Sequence, residues 1–170
     1  MSITVRPART SDVAAIRRLV DLYAPRGILL DKPTVMLFED VQEFLVACDA
    51  AGGAVGCGAL HVMWEDVAEV RTLAVDPSLR GAGVGHVLLE GLIARARDVG
   101  VRRVFCLTFE VDFFTRHGFR EMEGSPVAPD VYAELLRSYD EGVAEFLDLD
   151  HVKPNILGNT RMVLDLPQPD

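Results

Sequence analysis

Glu69-Val70-Arg71-Thr72-Leu73-Ala74-Val75-Asp76-Pro77-Ser78-Leu79-Arg80-Gly81-Ala82-Gly83-Val84-Gly85-His86 is the stretch on which the fold turns. Its first half reads as a strand, closed by Asp76-Pro77. Gly81, Gly83 and Gly85 then run into an amphipathic helix over about 84–99 that stops at Gly100. Glycines at a helix start leave backbone N–H groups unobstructed beside the positive helix end, an arrangement that favours phosphate. Two phosphate-binding loops are excluded by spacing. No Gly-Lys-Ser/Thr follows, so this is not a P-loop, and Gly81-x-Gly83-x-Gly85 lacks the closing x-x-Gly of a dinucleotide fingerprint.

Working outward, residues 2–7 form a short strand, and Thr10 or Ser11 caps a helix with Val13, Ile16, Leu19, Val20 and Tyr23 on one face. Pro25 and Gly27 end that helix, and the loop 27–33 leads into a second one around 34–41. Strands are expected at 43–49, 54–63 and 67–75, with Ala51-Gly52-Gly53 and Glu65-Asp66 as turns. After the glycine-rich loop and its helix come a strand at 103–109, a short helix at 111–117 and a closing strand at 160–166. Residues 130–150 read as helical but hold seven acids and one Arg. The order predicts an α/β (α+β) fold, a mixed sheet with helices packed on it. No internal repeat or low-complexity tract interrupts it.

Length and composition agree with one domain over 1–170 that carries an acidic insertion at about 125–155. A formal charge of −9 argues against sequence-independent nucleic-acid binding and against attachment to anionic lipid. The first residues lack the apolar core of a secretory signal, and no window has the apolar length of a membrane span. Cys48, Cys57 and Cys106 are widely spaced among apolar or small neighbours, which predicts buried free thiols. His61, His86, His117 and His151 form no ligand spacing, so no metal is expected. A cytoplasmic location follows as the expectation.

Arg80-x-x-Gly83-x-Gly85, directly after Leu73-Ala74-Val75-Asp76-Pro77, resembles the acetyl-coenzyme A signature of the GNAT acetyltransferase superfamily. A second family element, aromatic-x-x-x-Gly-Phe, stands downstream as Phe114-Thr115-Arg116-His117-Gly118-Phe119. The resemblance implies a mostly antiparallel central sheet of about 6–7 strands flanked by helices, with acetyl-CoA as acyl donor. A narrower likeness covers most of the first 120 residues. Gly27-Ile28-Leu29-Leu30, Gly56-Cys57-Gly58-Ala59-Leu60, Ala68-Glu69-Val70-x-x-Leu73-Ala74-Val75, Leu88-Leu89-Glu90 and Phe105-x-Leu107-Thr108 look like the acetyltransferase domain of bacterial N-acetylglutamate synthases. Those enzymes acetylate the α-amine of L-glutamate and open arginine biosynthesis. Many carry an amino-acid-kinase-like domain for which this chain is too short, so it resembles a stand-alone form.

The resemblance assigns roles residue by residue. Arg80, Gly81, Gly83, Val84, Gly85 and His86 would hold the coenzyme A phosphates, and Arg116 flanks the same site. Leu73, Ala74 and Val75 would pair through their backbone with the pantetheine arm, and an N–H near Leu73 or Ala74 would stabilise the carbonyl oxygen. Phe114 stands where many relatives have Tyr, with no hydroxyl for the leaving thiolate, and reads with Phe113 as core or as a wall for pantetheine. Glu69 occupies the position of a general base, and Thr108 aligns with a Ser or Thr of the synthases. Alternation along the strand puts Glu69, Arg71 and Leu73 on one face if no bulge intervenes.

An acceptor with two carboxylates calls for cations. Lys32, beside Leu30, is the first candidate. Arg71, Thr72, Lys153, Asn159 and Arg161 follow, with Arg26 a weaker one. Each also has a bland reading as a solvated or surface-paired side chain. Glutamine, differing from glutamate by one distal charge, is equally compatible. Two other readings remain: a GNAT enzyme acting on another small amine or a protein N-terminus, and a non-catalytic acyl-CoA sensor. The superfamily often forms dimers, so a homodimer is an expected partner state. The charge is unevenly spread: residues 71–120 hold eight basic against five acidic groups, and 121–170 hold three against eleven. The part expected to meet an anionic cofactor is thus net basic.

Overall fold

Strand β4 (Val67–Val75) leads through Pro77–Leu79, a single 3-10 turn, into helix α3 (Val84–Val99), as the quoted stretch predicts. A computed structural model places the remaining elements around this run. They are β1 (Thr4–Pro7), α1 (Val13–Asp21), α2 (Thr34–Glu39), β2 (Phe44–Cys48), β3 (Ala54–Trp64), β5 (Arg103–Thr108), α4 (Val111–Arg116), β6 (Arg120–Glu121), α5 (Pro129–Leu135) and β7 (Thr160–Asp165). The structure describes residues 2–124, 127–138, 140, 143, 147 and 159–167.

Seven strands form one sheet in the order β1-β2-β3-β4-β5-β7-β6. β1–β2, β2–β3, β5–β7 and β6–β7 pair antiparallel, while β4 and β5 run parallel, Val67–Glu69 opposite Arg103–Phe105. A parallel pair needs a crossover, and α3 supplies it. This is the mixed, mostly antiparallel architecture expected. Contacts gather the chain into two units, Met1–His61 with Val70–Val99, and Val62–Glu69 with Gly100–Asp170.

In the first unit, Val13, Ile16, Leu19 and Val20 of α1 pack with Leu37 of α2, Phe44 and Val46 of β2, and Cys57 and Ala59 of β3. Tyr23 lies beyond the end of α1 yet joins the same cluster, as its place in the apolar period suggests. On β3 the notch Gly56-Cys57-Gly58 admits α3. A Cβ on Gly56 would stand 2.9 Å from a Leu88 methyl, and one on Gly58 2.8 Å from a Leu92 methyl, so larger residues would force those side chains to shift. In the second unit, Met63, Val67, Phe105, Leu135, Val143 and Leu147 form the core, with Trp64, Leu107 and Tyr132 packed against it.

Three local expectations change. The first helix is not capped by Thr10 or Ser11. The Asp12 carboxylate instead accepts the Arg9 N–H at 2.7 Å and takes both guanidinium nitrogens of Arg6 at 2.7 and 2.9 Å. Thr10–Asp12 forms a 3-10 turn ahead of α1. The helix expected over 130–150 is α5, Pro129–Leu135, and most of the remainder lies outside the described residues. Strand β6 is two residues long, too short for any alternation to announce it. Cys48, Cys57 and Cys106 are buried and free, as expected.

The Arg6 hydrogen bonds hold the Asp12 carboxyl below its ordinary range, against the opposing effect of burial. A carboxyl whose folded value is depressed stabilises fully above its unfolded value, and loses that contribution as pH falls through the folded one. Asp12→Asn is therefore expected to cost about 1.5–3 kcal/mol at neutral pH, the range for hydrogen bonds to charged groups. The gap from the parent closes as the solution is made acid. Urea denaturation of both proteins across pH checks this, and equal stability at neutral pH would contradict it.

Candidate active site

The loop between β4 and α3 departs from ordinary backbone at two points. Gly81 has φ 83° and Gly83 φ 80°, left-handed values that residues with a side chain rarely adopt. Both are exposed, and a Cβ on either would meet nothing within 4 Å. Glycine is needed here for its backbone, and the space beside it is open for a ligand. The first residues of α3 add N–H groups with no acceptor inside the helix; the intrahelical series begins with Val87 N–H to Gly83 C=O at 3.1 Å. A run of open backbone donors at the positive end of a 16-residue helix suits the phosphates of coenzyme A.

The approach to this loop is braced from several sides. Asp76 accepts from the Ser78 N–H at 3.0 Å and the Ser78 hydroxyl at 2.7 Å, and lies 3.2 Å from Arg18. These bonds, the Ser78 hydroxyl first, hold its carboxyl below the ordinary range. The Tyr23 hydroxyl donates to the carbonyl of Val75. Arg80, Gly81, Gly83 and His86 are exposed, while Val84 is buried and Gly85 half-buried. His86 lies 3.2 Å from Glu90 one helical turn on.

Upstream, β4 carries an irregularity that breaks the expected alternation. Thr72 has φ 55°, the one described non-glycine residue with a positive value. Such a conformation costs a β-branched residue about 1–2 kcal/mol. Glu69 and Arg71 keep the two-residue spacing, and the left-handed Thr72 interrupts it before Leu73. Its δ-methyl stands 3.0 Å from where a Cβ on Gly58 would lie. The Cys57 thiol donates to the Thr72 carbonyl at 3.6 Å, and burial pushes that thiol up to about 12.

Lys32 is no solvated loop lysine. Its side chain is 14% exposed, and the ammonium stands 3.5 Å from Asp40. Leu30, two residues earlier, is exposed. Arg71 is half-buried.

In the second unit Glu69 is 5% exposed, opposite Phe105 in the β4–β5 register. Its charge and, more strongly, burial push the Cys106 thiol up. Thr108 is 7% exposed, and its hydroxyl oxygen accepts the Glu110 N–H at 2.8 Å, which leaves its own proton available to donate. Thr108 faces Thr160 across β5 and β7, and Arg161 faces Leu107, so Thr108, Asn159 and Arg161 gather at one end of that strand pair. Asn159 and Arg161 are half-buried. Phe114 is core: its ring meets Phe119 edge-on at 5.1 Å and Phe113 at 5.2 Å. Arg116, at the end of α4, is exposed. Lys153 lies outside the described residues. A cavity of about 440 Å³ borders Trp64, Asp66, Arg102, Arg103 and Val131, and none of the expected site residues lines it.

Sequence reasoning missed Arg17, Tyr23 and Asp40, which hold the loop and strand positions above. Arg17 and Asp21 are four apart on α1 and read as a surface pair. Nothing local signals that the same guanidinium also reaches residues 31 and 32. Among the described residues, no group of three or more His, Cys, Asp or Glu is placed to hold a metal ion, and no helix is long and apolar enough to cross a membrane.

The acetyltransferase (GNAT) family model matches residues 14–119. The chain is 60% identical over 164 residues to the amino-acid acetyltransferase of Mycobacterium tuberculosis, covering 95% of this chain and 94% of that protein. A crystal structure of a Mycobacterium tuberculosis protein in complex with CoA and a second ligand superposes with a TM-score of 0.92 at 60% identity, over 96% of this chain and 99% of that one. N-acetylglutamate synthase from Neisseria gonorrhoeae, complexed with coenzyme A and N-acetyl-glutamate, shares the fold with a TM-score of 0.78 at 24% identity. That likeness takes in 99% of this chain and 36% of the synthase.

Gly83→Asp tests the loop. The substituted carboxylate has room, so the chain is expected to fold with a loss of about 1–2 kcal/mol from the left-handed backbone. Its charge would repel a phosphate held at this loop, and coenzyme A affinity is expected to fall at least about 100-fold. Calorimetric titration with coenzyme A, alongside a melting curve, measures both; unchanged affinity in a folded variant would remove the loop from the site.

Proposed function

The chain belongs to the acetyltransferase (GNAT) family, and on that basis we propose that it acetylates the α-amine of L-glutamate, the N-acetylglutamate synthase reaction that opens arginine biosynthesis. The observation that carries the reading is the pair of left-handed, open glycines between β4 and α3, set in a chain that matches a named amino-acid acetyltransferase over nearly its whole length. Acetyl-CoA is the acyl donor, and when bound it supplies an activated thioester carbonyl. Arg80 and the N–H groups of Gly81, Gly83, Val84, Gly85 and His86 hold its phosphates, while Leu73, Ala74 and Val75 align its arm.

Glu69 takes the proton of the acceptor's ammonium, directly or through water, and frees the lone pair for direct attack with no acyl-enzyme stage. A carboxylate kept 5% exposed is shielded from the solvent that would otherwise level its basicity. The N–H of Leu73 or Ala74 donates to the carbonyl oxygen as charge gathers there. With phenylalanine at 114, the thiolate leaves without an enzymic tyrosine, at modest cost for a thiol with a pKa of about 8.5. Thr108 retains a hydroxyl proton for the substrate or a water.

The acceptor's carboxylates require cations withdrawn from full solvation. Lys32, Arg71 and Arg161 meet that description, and Asn159 adds an amide beside Arg161. An acidic chain whose residues 71–120 are net basic suits an anionic donor and an anionic acceptor together. Three buried free thiols fit a reducing, cytoplasmic setting.

Thiol release from acetyl-CoA, measured with glutamate, glutamine, other amino acids and a short peptide, tests this reading. Turnover with glutamate is expected, and Glu69→Gln is expected to lower kcat by about 10²–10⁴, the usual contribution of a general base, with acetyl-CoA affinity unchanged. Acetyl-CoA binding with no thiol released by any amine would overturn the reading in favour of a sensor. Turnover only with the peptide or a cationic amine would overturn the acceptor.

A further inference from the structure

Two side chains that the proposed chemistry leaves unused hold Lys32 from opposite ends. Arg17 projects from α1 and donates one guanidinium N–H to the backbone carbonyl of Lys32. A second goes to the Asp31 carboxylate at 2.8 Å, and Asp21 lies 2.6 Å from the same nitrogen. The Arg17 side chain is 20% exposed, and its bond to the Lys32 carbonyl is part-buried, while Asp21 and Asp31 meet it from the solvent side. One planar fork thus ties a rigid helix to the backbone of the residue that carries the ammonium. A lysine at 17 could not do this, because its single charged nitrogen cannot span three acceptors.

The other end of Lys32 is held by charge. Its ammonium faces Asp40, just past the end of α2, at 3.5 Å. Asp40 is itself half-buried, so the pair is not merely a rim contact. An ammonium already paired with a resident carboxylate meets an incoming one with part of its charge neutralised, so the incoming group gains most by taking the resident's place. The affinity it delivers is the difference between the two bonds.

We propose that Arg17 is a positioning residue for Lys32, and that Asp40 is a resident competitor which the acceptor's carboxylate displaces. The inference rests on the reading of Lys32 as a carboxylate clamp. Arg17 makes the clamp accurate and Asp40 makes it weak, which keeps the acceptor KM high enough to respond to acceptor supply. The two residues act with opposite sign, and mere structural support would not produce that pattern.

The test compares Lys32→Met, Arg17→Gln and Asp40→Asn with the parent, reading acceptor KM, acetyl-CoA KM, kcat and melting temperature. Lys32→Met is expected to raise acceptor KM about tenfold or more, the value of one charge-assisted bond. Arg17→Gln is expected to raise it by about tenfold, with acetyl-CoA KM unchanged and kcat at saturation within about twofold. Asp40→Asn is expected to lower acceptor KM by about threefold, a fraction of one such bond. If Lys32→Met leaves acceptor KM unchanged, Lys32 is no clamp and both readings fall. If Lys32→Met raises KM while Arg17→Gln leaves it alone or Asp40→Asn raises it, the clamp stands and this proposal is overturned. Should Arg17→Gln fail to fold, Asp31→Asn removes one of its partners at an exposed position and is expected to raise acceptor KM in the same direction; no change would overturn the positioning role.

Discussion

Between Val75, the last residue of β4, and Val84, the first of α3, the backbone must reverse from an extended strand into a helix. It does so through Gly81 and Gly83, both at φ near 80°, which no other residue type adopts without strain. The reversal seats α3 in the notch that Gly56 and Gly58 leave on β3, and it aims the helix's positive end at the loop. The corner before it is tied down by the Asp76–Ser78 bonds, the Asp76–Arg18 pair and the Asp76 N–H to the Val55 carbonyl at 2.8 Å. An anion that binds there meets donors already in place, so little ordering entropy opposes it.

Strain and burial are concentrated on β4 itself. One strand carries a 5% exposed carboxylate at Glu69, a left-handed threonine at Thr72 and the residues assigned to the acyl carbonyl at Leu73 and Ala74. A left-handed, β-branched residue persists only where its surroundings over-determine it, and such outliers gather at functional sites. The Cys57 thiol, buried beneath Thr72 and bonded to its carbonyl, is part of that support. The charge distribution is compatible with this: the net-basic middle of the chain lies within an acidic whole, as an anionic donor would require.

Much of this was legible in the residues. The helix over 84–99 matches its expected bounds because the glycines at both ends and the apolar period between them agree. The strands at 67–75 and 103–109 are short apolar runs between clear turn signals, and for that reason the first matches its expected bounds and the second ends one residue early, at Thr108. Thr72 was not legible, since nothing in Val70-Arg71-Thr72-Leu73 favours a positive φ, and tertiary packing imposes it. Asp12 in place of Thr10 or Ser11 was missed because its partner Arg6 lies on another element. Arg17 and Asp40 were invisible for the same reason: their roles are long-range, while each has an ordinary local reading as a surface charge. For the tail, Val143 and Leu147 are buried in the second core, which an acid-rich segment conceals behind its composition.

Coenzyme A bound at the loop backbone is the premise from which the proposed chemistry follows. Nuclear magnetic resonance of ¹⁵N-labelled protein titrated with coenzyme A reads those amides directly. Saturable shifts are predicted for Gly81, Gly83, Val84 and Gly85, larger than elsewhere in the first unit and weakened by added salt, as expected for an anion held by partly exposed donors. Saturation of the protein by coenzyme A with these four amides unmoved would contradict it.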